Sequence, residues 1–378
     1  MRAIVNANIV LENEILENSA LLFGETIEAV APEHVPEGIE IIDAGGRFLF
    51  PGLIDVHTHG YCGREVLEGT ADAVEFIAGK LLKDGVTGFL PTVATAPLPA
   101  VGAALDAVRA TMGKGRGAKV HGAHMEGVFI SVEKKGAHNP NLILPPDTDF
   151  LAPYADILRI VITAPEKYPE FVQWCAERGI VAAMGHTNAT YQEAMEGIRR
   201  GVTQATHLFN GMRGLTHREP GAAGAALLSD RVNCELIADT AHVAKELYPL
   251  VYRMKGPDKI LLITDSSIAS GMGPGVYTSN ARTVYVDELV GRLENGTISS
   301  SVVPLRRDIL NFHRHSGATL PEAVRMATLN PARVLKLDHA LGSIREGKRA
   351  DLFVADGEMN VLLTVLDGEI VYRGDAPC

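Results

Sequence analysis

Five apolar runs along the chain each end in side chains able to bind a metal ion or move a proton. Residues 53–59 carry His57 and His59, residues 120–126 carry His121, His124 and Glu126, and residues 181–186 end in His186. Residues 205–207 end in His207, and residues 260–265 end in Asp265. One apolar run closing on a histidine is commonplace and usually means a hydrogen-bonded core residue. Five with the same layout point to one shared site at the carboxyl ends of a parallel barrel, where (β/α)8 enzymes place their chemistry. His57 and His59 flank a single residue, so in a strand they project to one face and can grip one ion. Imidazole and carboxylate donors suit zinc, with iron, manganese or cobalt as alternatives, and leave a position open for water.

The elements that must hold these residues alternate from about 49 to 336. Val74, Ile77, Ala78, Leu81 and Leu82 form a helix-period stripe over 71–83, ended by Gly85, and a strand follows over 86–90. A second helix is predicted over 190–200 with its stop at Gly201. A third opens at 322 behind the capping sequence Thr319–Glu322 and runs to 329, with Pro331 just beyond. This alternation predicts an α/β protein with a (β/α)8 TIM-like barrel over 49–336. Residues 276–298 read as a β-hairpin excursion that interrupts it. Short strands are predicted at 3–5, 9–11, 19–23 and 26–30, and again at 352–355, 361–365 and 369–372. Neither terminal block can bury a core alone, so residues 1–48 and 337–378 are expected to pair into one small β-sandwich.

The chain has 378 residues, enough for a barrel of roughly 250 residues and a smaller unit. Its net charge of -11 argues against nucleic acid or an anionic membrane as partner, since both require clustered cations. An anionic substrate would need local cations to overcome that field. Cys62, Cys175, Cys234 and Cys378 show no paired spacing, so neither a disulfide framework nor a thiolate metal site is expected. With no apolar stretch near ~18 residues, the sequence reads as a cytoplasmic protein.

The stretch Pro51 to Gly60, PGLIDVHTHG, resembles the first metal motif of the amidohydrolase superfamily. HMEG at 124–127, KKGAHNP at 134–140, GHTNAT at 185–190 and THLFN at 206–210 extend the likeness. Together, from Pro51 to Arg333 and more weakly to both termini, they resemble the N-acetylglucosamine-6-phosphate deacetylase family. That resemblance implies that Glu126, His186 and His207 are the main metal ligands and that His57 and His59 hold a second ion if one binds. It implies Asp265 as the general base, although an aspartate at a strand end also suits a helix N-cap. His138 would contact the substrate beside the scissile amide, with Ala137, Asn210, Gly211, Ile298, Ser299 and Ser300 lining the sugar site. Arg218 and His242 would bind the phosphate, Arg218 from the neighbouring subunit, so a homodimer is implied. The expected reaction is removal of the acetyl group from N-acetylglucosamine 6-phosphate to give glucosamine 6-phosphate and acetate. The galactosamine epimer, another N-acyl substrate and a catalytically silent relative are the alternatives. Val128 and Val132 replace prolines common in the family, and Ser300 stands where a glycine is usual, which would narrow the pocket.

Overall fold

Eight parallel strands close into a barrel in the computed structural model, which describes residues 1–280 and 282–374. They are Leu53–Thr58, Val86–Val93, a third broken into Lys119–Val120 and Ala123–Met125, then Leu158–Thr163, Val181–Met184, Val202–Ala205, Asn233–Leu236 and Ile260–Leu262. Their order in space follows the chain. The ring closes where Thr58 bridges Ser266 and the Asp265 N–H donates to His57 O at 3.0 Å. Helices cover the outer face, so the strands are buried on both sides and are largely apolar; Val86–Val93 is buried at every position.

The third strand breaks at Gly122, whose φ is +137°. A Cβ there would fall 2.5 Å from Ile157 O, so only glycine lets the chain pass. Beyond the break His124 and Met125 pair with Thr92 and Val93, and the Glu126 N–H bonds Val93 O at 2.9 Å. The carboxylate is thereby fixed at the barrel's carboxyl end.

Several predicted elements shift. The first helix is Ala71–Leu81, followed by a tight turn over Leu82–Asp84, and Gly85 ends it at φ +76°. The second is Tyr191–Arg200, with Thr190 and Glu193 forming a capping box. The Thr319 cap is present, but the helix behind it is the short Leu320–Arg325. Pro331 does not lie beyond a helix; it sits in the first turn of the next one, Leu329–Val334. A first-turn residue needs no intrahelical acceptor, so proline fits there. The expected hairpin over 276–298 is a four-stranded antiparallel flap of Gly275–Ser279, Arg282–Val286, Val290–Arg292 and Ile298–Ser301. Ser301 bridges Ser266, and its N–H donates to Asp265 O at 3.2 Å, so the flap is tied to the strand end that bears Asp265.

Both terminal blocks share one eight-stranded mixed sheet, which encloses Ile4, Ile9, Leu21, Phe23, Leu49, Leu352 and Val365 as the core of the small sandwich. The strands expected at 3–5 and 9–11 are one strand, Arg2–Val10, with register irregularities on either side of Ala7. Leu352–Ala355 runs antiparallel to Phe48–Pro51, which joins the two ends of the chain. Lys119 on the barrel pairs with Asp351 at 2.9 Å and also with Asp367. Cys62, Cys175 and Cys234 are free thiols, and Cys378 lies outside the described residues.

Candidate metal centre and active site

Glu126 is the hub of the barrel's carboxyl end. Its Oε1 lies 3.2 Å from His186 Nε2, 3.0 Å from His207 Nε2 and 3.5 Å from His57 Nε2. Its Oε2 lies 2.9 Å from His59 Nε2 and 3.7 Å from His138 Nε2. Asp265 Oδ1 approaches His59 Nε2 at 3.2 Å and His57 Nε2 at 3.4 Å. Glu126, His186 and His207 thus form one group with metal-ligand spacing, and His57, His59, Glu126 and Asp265 form another.

The far side of three of these rings is already engaged. The Nδ1–H of His186 donates to Lys134 O at 2.8 Å and that of His207 to Asn210 O at 3.1 Å. His57 donates its Nδ1–H to Glu235 Oε2 at 3.2 Å. Each Nε2 therefore presents a lone pair inward, the arrangement that orients a metal-binding imidazole. His186 and His207 bring two such acceptors within 3.2 Å of each other, a repulsive pairing that a cation between them would relieve. His186, His207 and Asp265 are held at φ of +45°, +30° and +52°, a strained backbone of the kind found at functional sites. Donor set, orientation and strain all fit a divalent ion.

Electrostatics follow the geometry. Burial opposes charge on Glu126 and Asp265, yet both carboxyls are held below their usual range, Glu126 mainly by His57 and Asp265 by His57 and His59. Burial also opposes charge on His59, but Asp265 and Glu126 outweigh it and bring the ring to about 9. His138 goes the other way: burial, above all, lowers it to about 3, so it stays neutral.

A cavity opens on this cluster, with His59, Glu126, Ala137, His138, Ser299 and Ser300 in its wall. Ser300 is only 2% exposed and donates its hydroxyl to Ser267 Oγ at 2.8 Å. Gly211, at φ +55°, lies so close that a Cβ would fall 2.8 Å from His186 Nδ1, and Asn210 seats His207. Both therefore position ligands. Ile298, Arg218 and His242 are not in the cavity wall. Arg218 is exposed on the loop before the helix Gly221–Leu228, and His242 is held by its Nδ1–H to Asp239 Oδ2 at 2.6 Å. Sequence reasoning missed Glu235; its signal was a carboxylate set between Cys234 and the apolar Leu236, Ile237 and Ala238. His124, in contrast, is fully buried behind His57 at a ring separation of 4.5 Å and bonds Val56 O, so it supports the ligands from outside the Glu126 group.

A family model described as the amidohydrolase family matches residues 48–371. The chain belongs to the amidohydrolase family. This amidohydrolase is 35% identical to the N-acetylglucosamine-6-phosphate deacetylase of Haemophilus influenzae, over 97% of this chain and 98% of that one. It is 33% identical to the N-acetylgalactosamine-6-phosphate deacetylase of Escherichia coli O157:H7, over 89% and 90% of the two chains. The crystal structure of N-acetylglucosamine-6-phosphate deacetylase from Pasteurella multocida superposes on this amidohydrolase with a TM-score of 0.92 at 32% identity, covering 99% of this chain and 100% of that one.

Proposed function

We propose that this chain is a metal-dependent deacetylase that hydrolyses N-acetylglucosamine 6-phosphate to glucosamine 6-phosphate and acetate. The observation that carries the reading is the Glu126–His186–His207 group with the Asp265 carboxylate facing it from another strand end. Zinc suits the nitrogen and oxygen donors on Glu126, His186 and His207, and His57 with His59 would hold a second ion. Such an ion supplies Lewis acidity that polarises the amide carbonyl and eases loss of a proton from water. Asp265, kept ionised, accepts a proton from the water that adds to the amide carbon. As the C–N bond breaks, that proton passes to the departing nitrogen; the water oxygen stays with acetate. His138, kept neutral, can donate a ring N–H to the amide oxygen, beside Ala137. Ser299 and Ser300, in the cavity wall, border the sugar in this reading, with Asn210, Gly211 and Ile298 assigned to the same subsite from outside that wall.

Arg218 and His242 are assigned to the phosphate. His242 has its Nδ1 committed to Asp239, which leaves Nε2 for a ligand. Exposure of Arg218 supports a homodimer in which it enters the neighbour's site. Leu215, Leu228, Leu250 and Met254 are exposed on the same loop and on the adjoining helices Gly221–Leu228 and Tyr248–Lys255, an apolar face suited to a second copy. We place the enzyme in the cytoplasm: no helix among the described residues is long and apolar enough to cross a membrane, and the relatives named above act on sugar phosphates.

The galactosamine epimer is the second reading, favoured by the Escherichia coli O157:H7 relative. Acetate release from both hexosamine phosphates and their unphosphorylated parents, with metal content measured on the same preparation, separates the two. Release from neither phosphate by metal-replete protein would refute the deacetylase reading.

A further inference from the structure

The flap brings to the cavity one cation that neither the ligand cluster nor the phosphate assignment uses. Along Arg282–Val286, Thr283 and Tyr285 are exposed while Val284 and Val286 are buried, so Arg282 shares the inward face of the strand with Val284. Both line the cavity that also holds His59, Glu126 and His138. Glu65, which lines the same wall, is already engaged: it accepts from Ser279 Oγ at 2.8 Å and from the Asn280 N–H at 3.1 Å. Asn280 Nδ2 in turn donates to Thr95 O at 3.2 Å, so Asn280 is tied to the barrel. Among the described residues Arg282 has no carboxylate within ion-pair distance. A guanidinium that faces the pocket without a carboxylate partner attracts an anion through its planar fork of donors. On a chain of net charge -11 it is the kind of local cation an anionic substrate requires.

We propose that Arg282 is a specificity-determining residue that binds an anionic group of the substrate from within the same chain. This rests on the hydrolase reading and adds to it a contact distinct from Arg218 and His242, neither of which lines this cavity. The anion is the phosphate ester, or else a carboxylate ending a longer acyl chain; both offer the paired oxygens that the fork matches.

The test compares kcat/KM of wild type, Arg282→Gln and Arg282→Lys on N-acetylglucosamine 6-phosphate, N-acetylglucosamine and N-succinylglucosamine. In Arg282→Gln the preference for an anionic substrate over the neutral one falls at least about tenfold, through KM, and Arg282→Lys recovers part of it. A fall confined to the phosphorylated sugar identifies the anion as phosphate, and one confined to the succinylated sugar identifies it as the acyl carboxylate. Preferences within about twofold of wild type, or an equal loss on all three substrates, overturn the proposal. If wild type cleaves none of the three, the deacetylase reading fails and calorimetric titration of the metal-loaded proteins with inorganic phosphate decides this one. Binding about tenfold weaker in Arg282→Gln supports it, and equal binding overturns it.

Discussion

Replacing His186 with asparagine removes an imidazole whose Nε2 lies 3.2 Å from Glu126 and whose Nδ1 is locked to Lys134 O, so neither its position nor its donor atom can be replaced by a neighbour. The expected outcome is loss of most bound metal and of turnover in a folded protein, read by metal analysis beside circular dichroism. Full occupancy and an unchanged rate would remove His186 from the ligand set. Asp265→Asn keeps the shape of the side chain and removes its basicity. Folding and metal content should survive while kcat drops at least ~10²-fold; a near-normal kcat would leave Asp265 with a structural role only. Most of these residues were legible in the sequence because each closes an apolar run. Glu235 was not, since its carboxylate lies inside a strand and its importance comes from His57, which approaches from another strand.

The elements were harder to read than the residues they carry. The helix ends marked by Thr190, Thr319 and Gly85 were visible because caps are local chemistry. Of the flap only a hairpin was legible, because its anchor to the barrel, the bridge from Ser301 to Ser266, joins residues far apart in the chain. The broken third strand carries a pH signature as well. His121, just before the break, has its Nε2 buried where a Cβ on Gly88 would fall 2.4 Å away. Burial, then the charges of Lys119 and Arg159, lowers its pKa to about 4 from the ordinary 6.5. The unfolded chain therefore binds this proton more readily than the folded one between those values, and stability falls as pH drops from about 6.5 towards 4. His121→Gln should flatten that slope by about 1–3 kcal/mol over the window. Urea denaturation at pH 7, 5.5 and 4.5 checks it, and parallel slopes for the two proteins would show that His121 titrates alike in both states.

At the scale of the whole molecule, the exposed position of Arg218 leads to a test by mixing subunits. Arg218→Ala chains and Asp265→Asn chains are each expected to be poor enzymes on the phosphorylated sugar. A heterodimer of the two contains one site with both residues intact if Arg218 crosses the interface, so mixing should restore part of the activity. No recovery, once heterodimers are demonstrated by mass, would confine Arg218 to its own subunit or remove it from substrate binding. The barrel and the sandwich sheet were both foreshadowed by periodicity, strand–helix alternation for one and paired turn signals for the other.

That sheet also sets a schedule for synthesis. Phe48–Pro51 leaves the ribosome early, yet its antiparallel neighbour Leu352–Ala355 cannot pair with it until the intervening barrel has been made. At roughly 5–20 residues per second this wait lasts on the order of a quarter of a minute to a minute. During it, one side of an apolar strand offers unsatisfied backbone groups to any neighbouring chain. The nascent protein thus carries an open sheet edge while its barrel is being completed, and emergence of Leu352–Ala355 ends that exposure.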